Sequence, residues 1–180
     1  MVMFSLSIED LRKGPRTLEF EVSPQELDLT GDEFTFEKEV RGRIEFKLRG
    51  RDVEGNGRIE ALAVTLCARC LGPVTCELDV AVDEMWLWRD SARPESPKSL
   101  SEDIIASFYE GDELDVRETL REAILARLPE FPHCSPDCKG LCPRCGANLN
   151  RERCRCKPGE RPRDSGSEWK RALALLKKKD

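Results

Sequence analysis

This chain of 180 residues has a single histidine and lacks long apolar runs and phosphate-binding loops. His133 is its only histidine, which removes most schemes of general-base catalysis, and no glycine-rich loop of the phosphate-cradling kind is present. No apolar run reaches the roughly 18 residues expected of a membrane-crossing helix. Carboxylates are plentiful but show no paired motif. We therefore predict that the protein is not an enzyme, takes no small-molecule substrate and makes no membrane contact.

The N-terminal residues lack a basic segment and a cleavage-site pattern, so the sequence predicts no secretory signal. We accordingly expect a cytoplasmic protein, whose thiols stay reduced. The chain has nine cysteines. In a reducing compartment, that many cysteines indicate metal binding rather than a disulfide framework.

Apolar residues occupy every second position in four segments, which is the pattern of strands with one buried face. One apolar face and one polar face indicate antiparallel sheet. A turn is predicted at residues 54–57, Glu-Gly-Asn-Gly, between a strand that ends near Arg51 and another at 58–66. The alternating apolar positions are Phe4, Leu6 and Ile8; Leu18, Phe20 and Val22; Ile44, Phe46 and Leu48; and Val74, Cys76, Leu78, Val80 and Val82.

A helix is predicted near residues 115–128. Asp115 is its expected N-cap, Glu118 completes a capping box, and Pro129 ends the helix. The spacing of its apolar residues places them on one face, which is expected to pack against the sheet. That face comprises Val116, Leu120, Ile124 and Leu128.

A second helix is predicted at the C-terminal end. Ser165 and Glu168 form another capping box, and the lysines at 177–179 suit the negative end of the helix macrodipole. Proline, glycine and polar residues predict a surface loop at 91–99 and a linker at 157–166. The apolar stripe of the terminal helix comprises Trp169, Leu173 and Leu176.

These patterns predict an α+β protein, with an antiparallel β-sheet-rich domain, one or two helices and a C-terminal cysteine-rich zinc module. The β-rich domain is expected at residues 1–130 and the zinc-binding cysteine cluster at 131–157. A basic linker and the terminal helix are expected at 158–180.

Six cysteines lie within residues 134–156, and their spacing is the strongest motif of the chain. Two thiolates separated by two residues, as in Cys142-Pro143-Arg144-Cys145, reach one metal ion if the loop turns sharply. Pro143 presets that turn, and Gly146 relieves crowding where backbone amides approach the sulfurs. Four thiolates in a tetrahedron suit structural Zn²⁺. The candidate ligands are Cys134, Cys138, Cys142, Cys145, Cys154 and Cys156.

Six cysteines exceed the four positions of a zinc tetrahedron, so the ligand set stays open. Cys142 and Cys145 are the firmest ligands, and we favour Cys138 and Cys156 as the other two. His133 adjoins the cluster, but a lone histidine is more often a loop or packing residue than a ligand.

A separate pair, Cys67 and Cys70, ends a strand in the motif Cys-Ala-Arg-Cys. Three interpretations remain open: a structural turn with packed thiols, half of a second metal site, or a redox pair. A thioredoxin-type redox pair opens a helix, whereas Leu-Gly-Pro here leads into another strand. With the six C-terminal cysteines the pair makes eight thiols, enough for two zinc ions. Cys76 lies on the apolar face of its strand and is expected in the core.

Charge is divided unevenly along the chain. Residues 134–180 carry 13 Lys and Arg against 6 Asp and Glu, whereas the first 133 residues carry 17 against 29. A basic tail on an acidic body often marks contact with nucleic acid, although a merely solvated tail has the same composition. The residues expected to neutralise phosphates are Arg144, Arg151, Arg153, Arg155, Lys157, Arg161 and Arg163.

Four segments are specific in combination: the turn Cys67–Leu71, the helix start at 114–116, the run Cys134–Asn150 and the closing segment Trp169–Lys177. On these segments the chain resembles the YceD family, whose members are associated with accumulation of large-subunit ribosomal RNA. The resemblance implies a non-enzymatic role in ribosome biogenesis, in the accumulation or processing of large-subunit (23S) ribosomal RNA. We expect the basic segment to contact ribosomal RNA or a large-subunit ribosomal protein.

Some members of that family look as if they keep the Cys-x-Arg-Cys turn without most of the C-terminal cysteines. This implies a structural role for the cluster and argues against a second zinc ion. An alternative is a redox-responsive zinc–thiolate switch or chaperone-like protein, because the paired cysteines at 142/145 and 154/156 resemble redox-regulated chaperones with the pair order reversed. A transcription-type zinc ribbon would need two knuckles, and this cluster has one.

Overall fold

The computed structural model describes residues 4–31, 33–89 and 107–156. The chain divides into two compact units. The first unit comprises residues 1–65 and 74–132, and the second comprises residues 66–73 and 133–180. The second unit therefore includes the turn that carries Cys67 and Cys70 together with the C-terminal cysteines.

The described residues form two sheets and two α-helices. Strands β2, β4, β5, β6 and β7 form the main sheet in that order, β3 pairs with β5, and β1 pairs with β8 in a separate sheet. The elements are β1 Ser5–Ser7, α1 Ile8–Lys13, β2 Arg16–Val22, a 3-10 helix Pro24–Leu27, β3 Thr35–Phe36, β4 Val40–Arg49, β5 Asp52–Leu66, β6 Pro73–Trp88, β7 Ser107–Tyr109, β8 Glu113–Asp115 and α2 Arg117–Ala126.

Antiparallel pairing dominates these sheets. The pairs β1–β8, β2–β4, β3–β5 and β4–β5 are antiparallel, while β6–β7 is parallel. Val40, Ile44 and Phe46 of β4 are fully buried, and Trp86 of β6 packs on Phe46 with ring centroids 5.7 Å apart. The predicted fold class is confirmed, and so is the alternation of apolar residues in β2, β4 and β6.

The first predicted strand is shorter than its alternation suggests. Only residues 5–7 form β1, and Ile8 begins α1. Ile8 and Leu11 stand three positions apart and are both buried, which is helical rather than strand spacing. The extension of this strand to Ile8 was therefore wrong.

The predicted turn at residues 54–57 was also wrong. The chain reverses at Gly50 and Arg51, because Arg49 pairs with Asp52 and Gly50 has φ +70°, a conformation that glycine adopts without strain. The glycines at 55 and 57 lie inside β5. A Cβ at Gly55 would stand 2.7 Å from the Trp86 ring. Glycine here allows close packing rather than a turn.

Helix α2 begins and ends near its predicted bounds. Asp115 Oδ1 accepts a hydrogen bond from the Arg117 backbone N at 2.9 Å, although Val116 occupies the N-cap position. The predicted apolar face is confirmed, since Val116, Leu120 and Ile124 are fully buried. The helix ends at Ala126, two residues before its predicted end.

Several predicted segments lie outside the described residues. They are the loop at 91–99, the linker at 157–166 and the terminal helix from Ser165 onward. The predicted domain boundaries at 130 and 157 stay predictions. None of the helices that the structure describes is long and apolar enough to cross a membrane.

Candidate metal centre

Eight of the nine cysteines gather into two groups of four, both within the second unit. In each group the four Sγ atoms all lie within 4.8 Å of one another. The first quartet comprises Cys67, Cys70, Cys134 and Cys138, and the second quartet comprises Cys142, Cys145, Cys154 and Cys156.

The sulfur separations fit tetrahedral metal coordination. Zinc–sulfur bonds of about 2.3 Å place the corners of a regular tetrahedron about 3.8 Å apart. In the first quartet the Cys67–Cys138 and Cys70–Cys134 sulfurs lie 3.8 and 3.6 Å apart. In the second quartet the Sγ of Cys154 lies 3.3 Å from Cys142 and 3.7 Å from Cys145. Both donor sets therefore have the chemistry and the size to hold a metal ion.

A tight turn presents the first two thiols of the first quartet. The Cys67 backbone N donates to the Gly72 carbonyl at 2.7 Å, and the Leu71 N donates to the Cys67 carbonyl at 2.9 Å. Leu71 has φ +56°, which is uncommon for a branched side chain. The Arg69 backbone N points at the Cys67 Sγ, 3.4 Å away, as in many metal–thiolate loops where amides support the sulfur.

Arg69 connects this turn with the segment that carries the other two thiols. Its Nη1 donates to the carbonyl oxygens of Cys138 at 3.2 Å and Pro136 at 3.5 Å. Its own carbonyl accepts a hydrogen bond from the Leu141 N at 3.0 Å. Gly140 approaches so closely that a Cβ there would stand 3.0 Å from the Arg69 carbonyl oxygen. The two halves of the first quartet are thus held together by backbone contacts as well as by the thiols.

A knuckle presents the first two thiols of the second quartet. The Gly146 backbone N donates to the Cys142 carbonyl at 2.9 Å, and the Cys142 N donates to the Ala147 carbonyl at 2.8 Å. Gly146 has φ +73°, and a Cβ there would meet no atom within 4 Å among the described residues. Its left-handed backbone, rather than the crowding we expected, explains why glycine stands at this position.

The thiols of the first quartet differ strongly in acidity. Burial raises the pKa of the Cys67 thiol, but backbone hydrogen bonds from Cys134, Arg69 and Cys70 outweigh burial and lower the pKa to about 6. The neighbouring thiols of Cys138 and Cys70 raise the pKa of Cys134 to about 12. Because adjacent thiolates repel each other, all four ionise together only when a cation binds between them.

The second quartet shows the same division. Backbone hydrogen bonds from Cys145 and Arg144 lower the pKa of the Cys142 thiol to about 6. Hydrogen bonds with the thiols of Cys154 and Cys145 raise the pKa of Cys156 to about 12. This quartet also needs a bound cation to hold four thiolates.

The structure divides the six predicted C-terminal cysteines between the two quartets. Cys134 and Cys138 belong to the first quartet, and the other four form the second. Cys138 groups with Cys67 and Cys70 rather than with Cys142, so the structure does not bring the favoured set together. The grouping supports the interpretation of Cys67 and Cys70 as half of a second metal site. The signal available in the sequence was the count of eight thiols, which is twice the four of a zinc tetrahedron.

His133 and Cys76 lie outside the two quartets. His133 is exposed and joins neither quartet. Cys76, which we expected in the core, is half-buried and packs against the core of the first unit.

The predicted phosphate-binding residues fall partly within the described chain. Arg151, Arg153 and Arg155 are exposed, and Arg144 is half-buried. All four lie in the loops that carry the second quartet. The other three, Lys157, Arg161 and Arg163, lie outside the described residues.

A family model described as "Large ribosomal RNA subunit accumulation protein YceD" matches residues 55–177, a span that contains both quartets. The chain belongs to the YceD family. An uncharacterized protein of Mycobacterium tuberculosis is 34% identical over 120 residues, which are 67% of this chain and 54% of that protein. The YceD-family chain therefore spans about half the length of this relative.

Plant relatives match over a shorter region. A maize protein named "Large ribosomal RNA subunit accumulation protein YCED homolog 1, chloroplastic" is 45% identical over 47 residues, 26% of this chain and 16% of that protein. A protein of the same name from Arabidopsis thaliana is 35% identical over 54 residues, 30% of this chain and 16% of that protein. No solved structure matches the chain.

Proposed function

We propose that this YceD-family protein is a non-enzymatic, cytoplasmic ribosome-biogenesis factor whose two cysteine quartets each hold a structural Zn²⁺ ion. The observation that carries the proposal is the pair of four-thiol clusters at tetrahedral spacing within the span that matches the family. A site with four cysteine ligands has no open position for substrate or water, which is typical of structural rather than catalytic zinc. The names of the plant relatives support a role in accumulation of large-subunit ribosomal RNA.

Zinc-edge X-ray absorption of the purified full chain tests the identity of the metal and its ligands. The proposal expects four sulfur neighbours at about 2.3 Å and no nitrogen shell. A histidine or oxygen contribution would contradict all-cysteine sites.

Charge supports contact with RNA through the end of the chain. The described part of the second unit carries six Lys and Arg, Arg69 among them, against two Asp and Glu. Two zinc ions bound by eight thiolates add a formal charge of about −4, which cancels this excess. The net positive charge of the loaded unit then resides in residues 157–180, which hold eight Lys and Arg against four Asp and Glu.

We therefore propose that Arg151, Arg153 and Arg155 act together with the basic residues from Lys157 onward to neutralise ribosomal RNA phosphates. Each phosphate contact releases counterions, so affinity falls as salt rises. Filter binding of 23S ribosomal RNA at two salt concentrations tests this. A triple Arg→Ala change at 151, 153 and 155 is expected to weaken binding and flatten its salt dependence.

The first unit offers a matched control for that variant. Arg41, Arg43 and Arg58 are exposed arginines of the sheet that pair with Glu21, Glu19 and Asp79. Changing these three to alanine removes the same charge and is expected to leave RNA binding nearly unchanged. No measurable affinity of the unaltered protein at low salt would contradict direct RNA contact and favour a large-subunit ribosomal protein as the partner.

A redox-responsive switch is the second candidate function, because the second quartet exposes Cys145 and brings the sulfurs of Cys142 and Cys154 within 3.3 Å. Hydrogen peroxide would oxidise two such thiols to a disulfide, releasing zinc while the peroxide is reduced to two water molecules. Zinc release under mild peroxide with a gain in chaperone activity would support the switch. Unchanged zinc content would remove it.

A further inference from the structure

One side chain of the second unit connects the loops of the two quartets. Asn150 follows the knuckle of the second quartet, yet its Nδ2 donates a hydrogen bond to the Sγ of Cys138 in the first quartet at 3.3 Å. Its Oδ1 accepts a hydrogen bond from the Lys139 backbone N at 2.8 Å. The residue is exposed at the surface, but both ends of its amide are engaged by the segment that completes the first quartet.

A short hairpin fixes the position of this amide. Leu141 and Asn148 form an isolated antiparallel bridge, and the turn between them is the knuckle with Cys142 and Cys145. Asn148 Oδ1 accepts hydrogen bonds from the Asn150 backbone N at 3.0 Å and from its Nδ2 at 3.1 Å. Any ion that fixes the knuckle also fixes the place from which Asn150 reaches Cys138.

We infer that Asn150 is a positioning residue through which the two quartets load metal cooperatively. This inference rests on the metal-binding part of the proposed function. A metal ion in the second quartet orders the hairpin, and the ordered hairpin presents its Asn150 amide to the Cys138 thiolate. Hydrogen bonds to a ligand atom orient it and typically change metal affinity by about 10–100-fold.

The two quartets differ in how far apart their cysteines lie in the sequence. Cys142 and Cys154 are separated by 12 positions, whereas Cys67 and Cys138 are separated by 71. The second quartet is therefore built from one local segment, whereas the first quartet joins two segments that are distant in the sequence. Because coupling between binding sites is reciprocal, metal in the first quartet raises the affinity of the second by the same factor.

Cadmium NMR of the full chain reads the two quartets separately, because each loaded quartet gives its own signal. The signals are assigned with Cys67→Ser/Cys70→Ser and Cys142→Ser/Cys145→Ser variants. Competition with a chelator then gives the affinity of each quartet. We expect Asn150→Ala to lower the affinity of the first quartet by about tenfold or more, and Cys142→Ser/Cys145→Ser to lower it at least as much.

A double-mutant cycle separates coupling from independent damage. Adding Asn150→Ala to Cys142→Ser/Cys145→Ser should cause little further loss, because both changes break the same connection. Effects that multiply, or a first-quartet affinity that Asn150→Ala leaves within twofold of the unaltered chain, would overturn the inference.

Two further variants distinguish the amide donor from a merely structural role. Asn150→Asp keeps the acceptor for the Lys139 N but removes the donor to the Cys138 sulfur, so it should lose affinity as Asn150→Ala does. Retained affinity in Asn150→Asp would contradict the inference. Asn56→Ala, at an exposed strand position of the first unit, should leave both quartets unchanged.

The results also distinguish failure of the coupling between the quartets from failure of the metal-binding proposal on which it rests. A chain that binds no cadmium or zinc in either quartet contradicts the metal-binding proposal itself. Two bound ions with independent affinities leave that proposal standing and overturn the coupling alone.

Discussion

Arg69 uses both its side chain and its backbone to join the two segments that carry the first quartet. Its guanidinium donates to two carbonyls of the segment around Cys138, and its own carbonyl accepts from the Leu141 N. These bonds join two parts of the chain that are distant in sequence. The arginine of the Cys-x-Arg-Cys turn therefore has a structural function that spacing alone does not reveal.

Removing that guanidinium is expected to weaken metal binding in the first quartet. Arg69→Ala leaves the Cys138 and Pro136 carbonyls without their donor, and support of this kind typically contributes about tenfold or more to metal affinity. Chelator competition measures the change, with Arg43→Ala as a control for the loss of an exposed arginine. Equal affinities for Arg69→Ala and the control would contradict this role.

Gly55 is expected to be intolerant of even one added methyl group. A Cβ there would stand 2.7 Å from the buried ring of Trp86 and 3.0 Å from that of Phe46. Overpacking of this kind typically lowers the free energy of unfolding by about 1–3 kcal/mol. Urea unfolding followed by tryptophan fluorescence should show this loss for Gly55→Ala.

Gly31→Ala provides the matched control, because a Cβ at Gly31 would meet no atom within 4 Å among the described residues. Its free energy of unfolding should stay within about 0.5 kcal/mol of the unaltered chain, as is usual for surface changes. If the free energy of unfolding falls as little for Gly55→Ala as for Gly31→Ala, the ring of Trp86 moves to accommodate the methyl group and the prediction is contradicted.

At the scale of elements, the second unit contains little regular structure. Its described C-terminal residues contain one isolated β-bridge, between Leu141 and Asn148, and no helix. Small modules of this kind obtain their folding free energy from the metal that they bind. The order of the cysteine loops should therefore depend on metal far more than the order of the sheet does.

Metal removal should accordingly open the second unit selectively. After treatment with a strong chelator, we expect amide hydrogen exchange in residues 133–156 to become fast, while the strands of the first unit stay protected. Re-addition of zinc should restore protection. Protection in residues 133–156 that survives complete metal removal would contradict a metal-dependent fold for these loops.

The strands of the first unit were largely predictable because burial on one face of a sheet imposes a period of two on the sequence. The glycines of β5 misled the prediction, since a turn and a close ring contact select the same residue. Gly50, which does form the turn, lacks the Asn-Gly or Asp-Gly pattern that identifies such turns. Local composition could not distinguish the two uses of glycine.

For the cysteine quartets, too, the sequence predicted local groupings but not distant ones. The knuckle at Cys142 and Cys145 was predictable because its ligands are local. The partners of Cys138 were not, because Cys67 lies 71 positions away and only the folded chain brings it near. Asn150 carries no signal of its own, since an asparagine in a loop most often serves a turn.

At the scale of the whole molecule, two bound zinc ions would change the net charge of the second unit. The sequence alone gives a basic C-terminal portion, but the four thiolates around each divalent ion return a net negative charge to each quartet. In a loaded protein the described arginines near the quartets would largely compensate this negative charge. A basic surface for RNA should then need the residues from Lys157 onward in addition to Arg151, Arg153 and Arg155.

We propose that the YceD-family chain holds two metal ions in two all-cysteine quartets. Native mass spectrometry of the purified full chain counts them directly. We predict two zinc ions in the unaltered protein and in Cys76→Ala, and one in each of Cys67→Ser/Cys70→Ser and Cys142→Ser/Cys145→Ser. A single zinc ion in the unaltered protein, or two zinc ions retained in either double variant, would contradict the account.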